Sequence, residues 1–132
     1  MIFKILIIAA ETSGDKLGAN LMDGLIEELG RDNDIIFQGI GGSLMQNKGL
    51  VSLYDFDEIA VMGFIEIVPK IFRLVKIIKN VTKYALAWKP DLIITIDSPD
   101  FSLRISKRIK SYWPNAKTIH YVAPSVWAWR SY

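Results

Sequence analysis

Runs of consecutive apolar residues alternate along the chain with segments whose apolar residues recur at helical spacing. Five aliphatic runs predict β-strands, over residues 3–9, 35–38, 50–53, 91–96 and 118–122. Four further segments predict helices, over residues 17–29, 43–48, 69–88 and 101–112. Strands that are apolar throughout and alternate with helices indicate a parallel sheet covered on both faces. The pattern therefore predicts an α/β fold with a doubly wound, Rossmann-like parallel sheet.

The length of the chain limits it to one domain or most of one, because 132 residues are too few for two complete domains. The sequence ends at Tyr132, soon after the fifth predicted strand and without a helix to cover it. We therefore expect residues 1–132 to be a single domain that is cut short.

The amino-acid composition argues against several kinds of catalytic and metal-binding site. The chain has no cysteine and one histidine, so we expect no thiolate site, no cysteine nucleophile and no metal. No apolar run approaches the roughly 20 residues of a membrane-spanning helix. His120 lies inside an apolar strand, where a hydrogen-bonded structural role is more common than catalysis.

Charge is distributed unevenly between the two halves of the chain. Residues 1–66 contain 4 basic and 11 acidic side chains, whereas residues 67–132 contain 12 basic and 3 acidic ones. This asymmetry points to an anionic partner for the second half, which can be a phosphate, a nucleic acid or an acidic lipid surface. Trp127 and Trp129 could stack on bases, but they are far in sequence from the basic helix, so we expect no nucleic acid partner.

The third predicted helix carries more apolar surface than one core-facing side can bury. A helical wheel places six residues on its core side, namely Ile71, Leu74, Val75, Ile78, Val81 and Leu86. Upstream and at the rim of that side lie further apolar residues, namely Phe64, Ile65, Ile67, Val68, Phe72 and Ile77. The opposite side carries Arg73, Lys76, Lys79 and Lys83, as the solvated face of an ordinary core-facing helix does. The excess apolar surface, together with six basic residues from Lys70 to Lys89 that meet no acidic residue, favours an anionic membrane interface.

Four polar or glycine-containing segments follow predicted strands and should meet at the carboxyl edge of the sheet, where such folds bind ligands. They are residues 11–15, 39–42, 97–100 and 123–130. The glycines of 39–42 either let a ligand approach the backbone or serve the turn alone.

Candidate chemistry at this edge centres on carboxylates. Asp97 ends an apolar run and is suited to accept a proton, whereas we expect Asp100 to cap the following helix. Thr12 and Ser13 can cap the first helix with their hydroxyls, or its free N–H groups can bind a phosphate. Glu11 is not needed for capping and can hydrogen-bond sugar hydroxyls.

Four motifs together resemble the N-terminal half of the lipid-A-disaccharide synthase family. They are Glu11-Thr12-Ser13-Gly14-Asp15, the segment from Ala60 to Glu66, the segment from Ile96 to Phe101, and the segment from His120 to Trp129. The resemblance implies an inverting two-domain GT-B glycosyltransferase that needs no metal or cofactor. Its implied substrates are UDP-2,3-diacylglucosamine and 2,3-diacylglucosamine 1-phosphate, joined at the inner face of the bacterial cytoplasmic membrane by a peripheral enzyme.

Site residues follow from the resemblance, position by position. Asp97 matches the family's proposed general base. Five residues match substrate-binding segments, namely Glu11, Ser13, Met62, Glu66 and Ser125. The membrane-facing set comprises Phe64, Ile65, Ile67, Val68 and Phe72.

The UDP-sugar domain of the family lies beyond these residues, so we expect this chain alone to be inactive unless a C-terminal half is supplied separately. The alternative is a non-catalytic module that binds a membrane surface or an acyl-sugar phosphate. A flavodoxin-like nucleotide-binding protein has only fold analogy in its support.

Overall fold

The computed structural model describes residues 1–56 and 67–122, and for residues 67–70 it describes only the backbone. The strands are β1 (Ile2–Ala9), β2 (Asp34–Ile40), β3 (Val51–Ser52), β4 (Leu92–Ile96) and β5 (Thr118–Tyr121). The helices are α1 (Thr12–Leu29), α2 (Ser43–Asn47), α3 (Ile67–Trp88) and α4 (Pro99–Tyr112).

All described strands pair in parallel, in the order β3-β2-β1-β4-β5. The central strand β1 pairs with β2 from Ile2 to Ile8, and with β4 from Ile5 to Ala9. The chain thus adds β2 and β3 on one side of β1, and then β4 and β5 on the other side. This topology confirms the predicted doubly wound α/β fold.

Both faces of the sheet are covered, which explains why β1 is apolar without alternation. Its residues from Ile5 to Ala9 are almost completely buried. Ile5, Ile7 and Ala9 pack with α1 and α2, whereas Leu6 and Ile8 pack with α3 and α4. Successive side chains of one strand therefore contribute to two separate cores.

The predicted core side of α3 is partly wrong. Ile77, which we placed at the rim, is buried with Val81 and Ala85. Ile71 and Val75, which we placed in the core, are 51% and 43% exposed. The wheel contains two neighbouring apolar stripes, and only packing against the sheet and α4 selects between them.

The predicted Asp100 cap is also wrong, and of the two alternatives left open for Thr12 and Ser13, the structure does not show side-chain capping. The helix α1 begins at Thr12 after Glu11, and α4 begins at Pro99 after Ser98, with no side-chain capping hydrogen bond at either position. Thr12, Ser13 and Asp100 accordingly lie within the first turn. Each helix begins before its apolar pattern does, and the first turn of α1 buries the small and polar residues Gly14 and Asp15 instead of apolar side chains.

Gly39 is required by the pairing of β1 with β2. Its φ is +148°, and a Cβ there would lie 2.0 Å from the carbonyl oxygen of Ile7. Gly24, on the exposed side of α1, has no atom within 4 Å of the corresponding position.

We expect Gly39→Ala to lower the free energy of unfolding by about 3 kcal/mol or more, since backbone strain and a main-chain clash act together. Gly24→Ala should raise it by roughly 0.5–1 kcal/mol through helix propensity. Urea denaturation of both variants provides the measurement. Equal effects of the two substitutions would contradict the close approach of the strands at Gly39.

Candidate functional site

The strand order reverses between β1 and β4, and their carboxyl ends lie side by side. Ala9 is the register partner of Ile96. Glu11 follows β1 two residues later, and Asp97 immediately follows β4. In open α/β sheets, ligands bind outside the carboxyl ends of strands at such a reversal. The topology therefore places both carboxylate-bearing segments at the position expected for a site.

Asp97 lies at the rim of the buried sheet. Ile96 before it is fully buried, whereas Asp97 is half-buried. Its backbone N–H donates a hydrogen bond to the carbonyl oxygen of Tyr121, with an N···O distance of 3.0 Å. This bond ties the residue to the neighbouring edge of β5.

The backbone at Asp97 is strained. Asp97 and Ser98 have φ values of +45° and +42°, in the left-handed region that L-residues seldom adopt. Such conformations cost on the order of 1–3 kcal/mol each and persist where surrounding structure enforces them, commonly at ligand sites. These two left-handed residues turn the chain from the end of β4 at Ile96 into the start of α4 at Pro99.

The segment that begins α1 is exposed at the same edge. Glu11, Thr12 and Ser13 are all exposed, and the Glu11 carbonyl accepts the first helical hydrogen bond from Asp15 at 3.0 Å. Glu11 and Ser13 are therefore accessible to a ligand. Their assignment to substrate binding stays a prediction.

A cavity of about 620 Å³ opens on the β1–β3 side of this edge. Its lining combines the first turn of α1 with the glycine turn, α2 and the segment after β3, and includes Thr12, Asp15, Gly42, Gln46, Ser52 and Tyr54. Glu11, Ser13 and Asp97 do not line it. The structure thus brings residues 11–15 and 39–42 together at the cavity. Asp97 follows β4, which pairs with the other side of β1.

Asp15 has a role that sequence reasoning missed. Its side chain is only 5% exposed, and its carboxylate accepts three backbone hydrogen bonds from the turn that starts α2. Oδ1 accepts from Gly42 at 2.9 Å and from Met45 at 3.1 Å, while Oδ2 accepts from Leu44 at 3.2 Å. An acidic residue early in α1, followed by a glycine turn before a short helix, was the available signal.

Gly42 permits this arrangement. A Cβ at Gly42 would lie 2.5 Å from Oδ2 of Asp15. The turn therefore needs glycine for contact with a buried carboxylate, which favours the conformational interpretation of these glycines. Asp15 shapes the cavity wall and is already engaged by three donors.

Several predicted residues lie outside the described part of the chain. They are Met62, Phe64, Ile65, Glu66 and Ser125. Ile67 and Val68 belong to the first turn of α3, and Phe72 is 71% exposed.

His120 has a partner in the structure. Its Nδ1 lies 2.9 Å from Oγ1 of Thr95, its register neighbour on β4. This agrees with the expected structural role. Within residues 1–56 and 67–122, no group of three His, Asp or Glu side chains could hold a metal ion. No helix in those ranges is long and apolar enough to cross a membrane.

Replacing Asp15 tests whether its carboxylate stabilises the turn that starts α2. We expect Asp15→Ala to lower the free energy of unfolding by about 3 kcal/mol, because buried N–H groups lose a charged acceptor. Asp23→Asn, on an exposed ion pair with Lys48 of 3.1 Å, should cost less than about 0.5 kcal/mol.

Amide hydrogen exchange at Leu44 and Met45 locates the effect of Asp15→Ala. Exchange should accelerate there before the sheet amides are affected. Protection unchanged at both amides would show that Asp15 does not hold α2.

The sequence is similar to one family across nearly its whole length. The family model described as lipid-A-disaccharide synthetase matches residues 5–132. A lipid-A-disaccharide synthase of Ruegeria pomeroyi is 45% identical over 129 residues, which are 98% of this chain and 31% of that protein. Relatives of the same name from Erwinia tasmaniensis and Chromohalobacter salexigens are 44% and 42% identical, and the match covers 96% of this chain and 32% of each. The chain therefore spans about a third of the length of these curated relatives.

Proposed function

The chain belongs to the lipid-A-disaccharide synthase family, a family of glycosyltransferases, and from this premise we propose that its residues form the acceptor-side unit of such an enzyme. The proposed reaction transfers 2,3-diacylglucosamine from its UDP derivative to 2,3-diacylglucosamine 1-phosphate, with inversion. The observation that carries the proposal is the placement of Glu11 and Asp97 after neighbouring strand ends at the reversal of strand order.

Asp97 is the proposed general base. Its carboxylate takes the proton of the acceptor's 6-hydroxyl as that oxygen bonds to the anomeric carbon of the donor. The bond between that carbon and the UDP oxygen breaks, and UDP leaves with the electron pair. A positioned carboxylate suits this step because it removes the proton only as the oxygen attacks.

Glu11 and Ser13 are the proposed contacts to the acceptor. The first turn of α1 presents unpaired backbone N–H groups, which suit the 1-phosphate. Glu11 accepts hydrogen bonds from sugar hydroxyls. Met62, Glu66 and Ser125 complete the proposed substrate contacts through the family resemblance.

The UDP-sugar is bound, in this proposal, by sequence beyond the matched third of the relatives. That sequence belongs either to the same polypeptide or to a separately encoded half. The 132 residues alone would then bind acceptor without transferring sugar.

Membrane contact at the cytoplasmic face is the second part of the proposal. Phe72 is 71% exposed on α3, and Ile71 beside it is 51% exposed. With Phe64, Ile65, Ile67 and Val68 they form the proposed contact to the bilayer that contains the acylated substrates. The same exposed residues favour the alternative, a module that binds the membrane or an acyl-sugar phosphate without catalysis.

Asp97→Asn tests the role of Asp97 as general base. The assay uses this chain extended by the region that follows the matched third in the Ruegeria pomeroyi relative. We expect disaccharide formation to fall by about 10²–10⁴-fold. Asparagine tolerates the left-handed backbone, so the unfolding midpoint should change little. The matched control Asp100→Asn removes the same charge from the first turn of α4 and should keep the rate within about threefold.

Acceptor binding to the 132-residue chain separates the two functions. Thermal stabilisation by 2,3-diacylglucosamine 1-phosphate should persist in Asp97→Asn. Equal transfer rates for the two asparagine variants would overturn Asp97 as the base. Acceptor binding without any transfer in the supplemented chain would favour the non-catalytic module.

Phe72→Ser tests the bilayer contact. Removing an aromatic side chain from the interface should weaken binding to lipid vesicles roughly tenfold. Ile26→Ser, which removes a 41% exposed side chain from α1 on the opposite layer, serves as the control and should not change binding. Equal losses in vesicle co-sedimentation would contradict a contact through α3.

A further inference from the structure

An open groove of about 390 Å³ runs between α3 and α4, away from the cavity described above. The two helices lie side by side on one face of the sheet and share a core. Val75, Ile78 and Lys79 line the groove from α3, and Arg104, Lys107, Arg108 and Ser111 line it from α4.

The groove is strongly cationic. Its lining contains four basic side chains and no acidic one. The helix α3 has no Asp or Glu, and α4 has only Asp100, in its first turn. Among the described residues, none forms an ion pair with Lys79, Arg104, Lys107 or Arg108. Their mutual repulsion is therefore not offset within this part of the chain.

Arg108 lines the groove with a partly buried side chain. Its Nε is buried and has no hydrogen-bond partner among the described residues. Its guanidinium carbon lies 5.9 Å from the ring of Tyr112. The buried Nε is closed to a ligand, whereas the terminal nitrogens of a planar guanidinium can contact two phosphate oxygens at once.

Exposed apolar side chains lie in the first half of both helices that form the groove. Val75 lines it and is 43% exposed, and Phe72 lies one turn earlier on α3. Leu103, beside Arg104 on α4, is 47% exposed. Both helices return from the carboxyl edge of the sheet to the start of the next strand, so these residues lie on the side of the candidate site. Exposed apolar residues beside cations favour a lipid over a soluble phosphate as the source of the anion.

We propose that the groove between α3 and α4 binds the headgroup phosphate of an anionic membrane lipid. Arg104, Lys107, Arg108 and Lys79 surround the phosphate, and Phe72 and Leu103 enter the acyl region. This inference rests on the membrane contact proposed above and extends it to α4. It gives the membrane-bound protein a fixed orientation, with the carboxyl edge of the sheet toward the bilayer.

The test compares two variants of equal net charge. One combines Arg104→Gln, Lys107→Gln and Arg108→Gln. The control combines Lys83→Gln, Lys110→Gln and Lys117→Gln, which are exposed and do not line the groove. Both are measured by co-sedimentation with phosphatidylcholine vesicles that contain or lack phosphatidylglycerol.

The groove variant should bind phosphatidylglycerol vesicles on the order of a hundredfold more weakly than the unchanged chain, and the control less than about tenfold. Equal losses would overturn the groove while leaving the membrane contact standing. No binding of the unchanged chain to either vesicle would overturn the membrane contact and, with it, the groove.

Soluble competitors distinguish the source of the phosphate. Inorganic phosphate and glycerol phosphate, at matched ionic strength, should not release the chain from vesicles. Release by either would overturn the lipid assignment in favour of a soluble phosphate site. If the triple variant does not keep its circular dichroism spectrum, the single exposed substitution Arg104→Gln is used, with Lys83→Gln as its control and a severalfold difference expected.

Discussion

The pairing of β1 between β2 and β4 is the constraint on which the rest of the structure depends. It fixes the central strand on both of its edges and aligns Ala9 with Ile96, while the two helix layers bury its faces. Because all these strands are parallel, the segments after β1 and β4 must emerge at one edge. The positions of Glu11 and Asp97 are therefore consequences of sheet register, which is why we propose the acceptor site at this edge.

In the described part of the molecule, the two helix layers that cover the sheet differ in the surfaces they form. On the side of α1 and α2, the buried carboxylate of Asp15 lines a polar cavity and accepts hydrogen bonds from the turn at Gly42. On the side of α3 and α4, cations line a groove with apolar residues around it. The cavity therefore suits a polar ligand, whereas the groove suits an anionic one.

Much of this could be predicted from the sequence, because buried strands and amphipathic helices leave strong periodic signals. The bounds of the described strands and helices were predicted within two residues except at the start of α1, which lies five residues earlier than predicted, and the family resemblance is confirmed. Three features could not be predicted. The burial of Ile77 depends on packing between layers, the start of α1 at Thr12 on backbone geometry, and the role of Asp15 on a contact across 27 residues or more. The first two leave no local pattern, and the third leaves only an acidic residue early in α1 followed by a glycine turn.

The most direct test of the central claim is a titration of the isotopically labelled chain with 2,3-diacylglucosamine 1-phosphate, followed by amide NMR shifts. Our account predicts that the largest shifts occur at residues 11–14 and 97–101, after the carboxyl ends of β1 and β4. Shifts confined to residues 31–33, 89–91 and 114–117, which precede β2, β4 and β5 at the opposite edge, would contradict it.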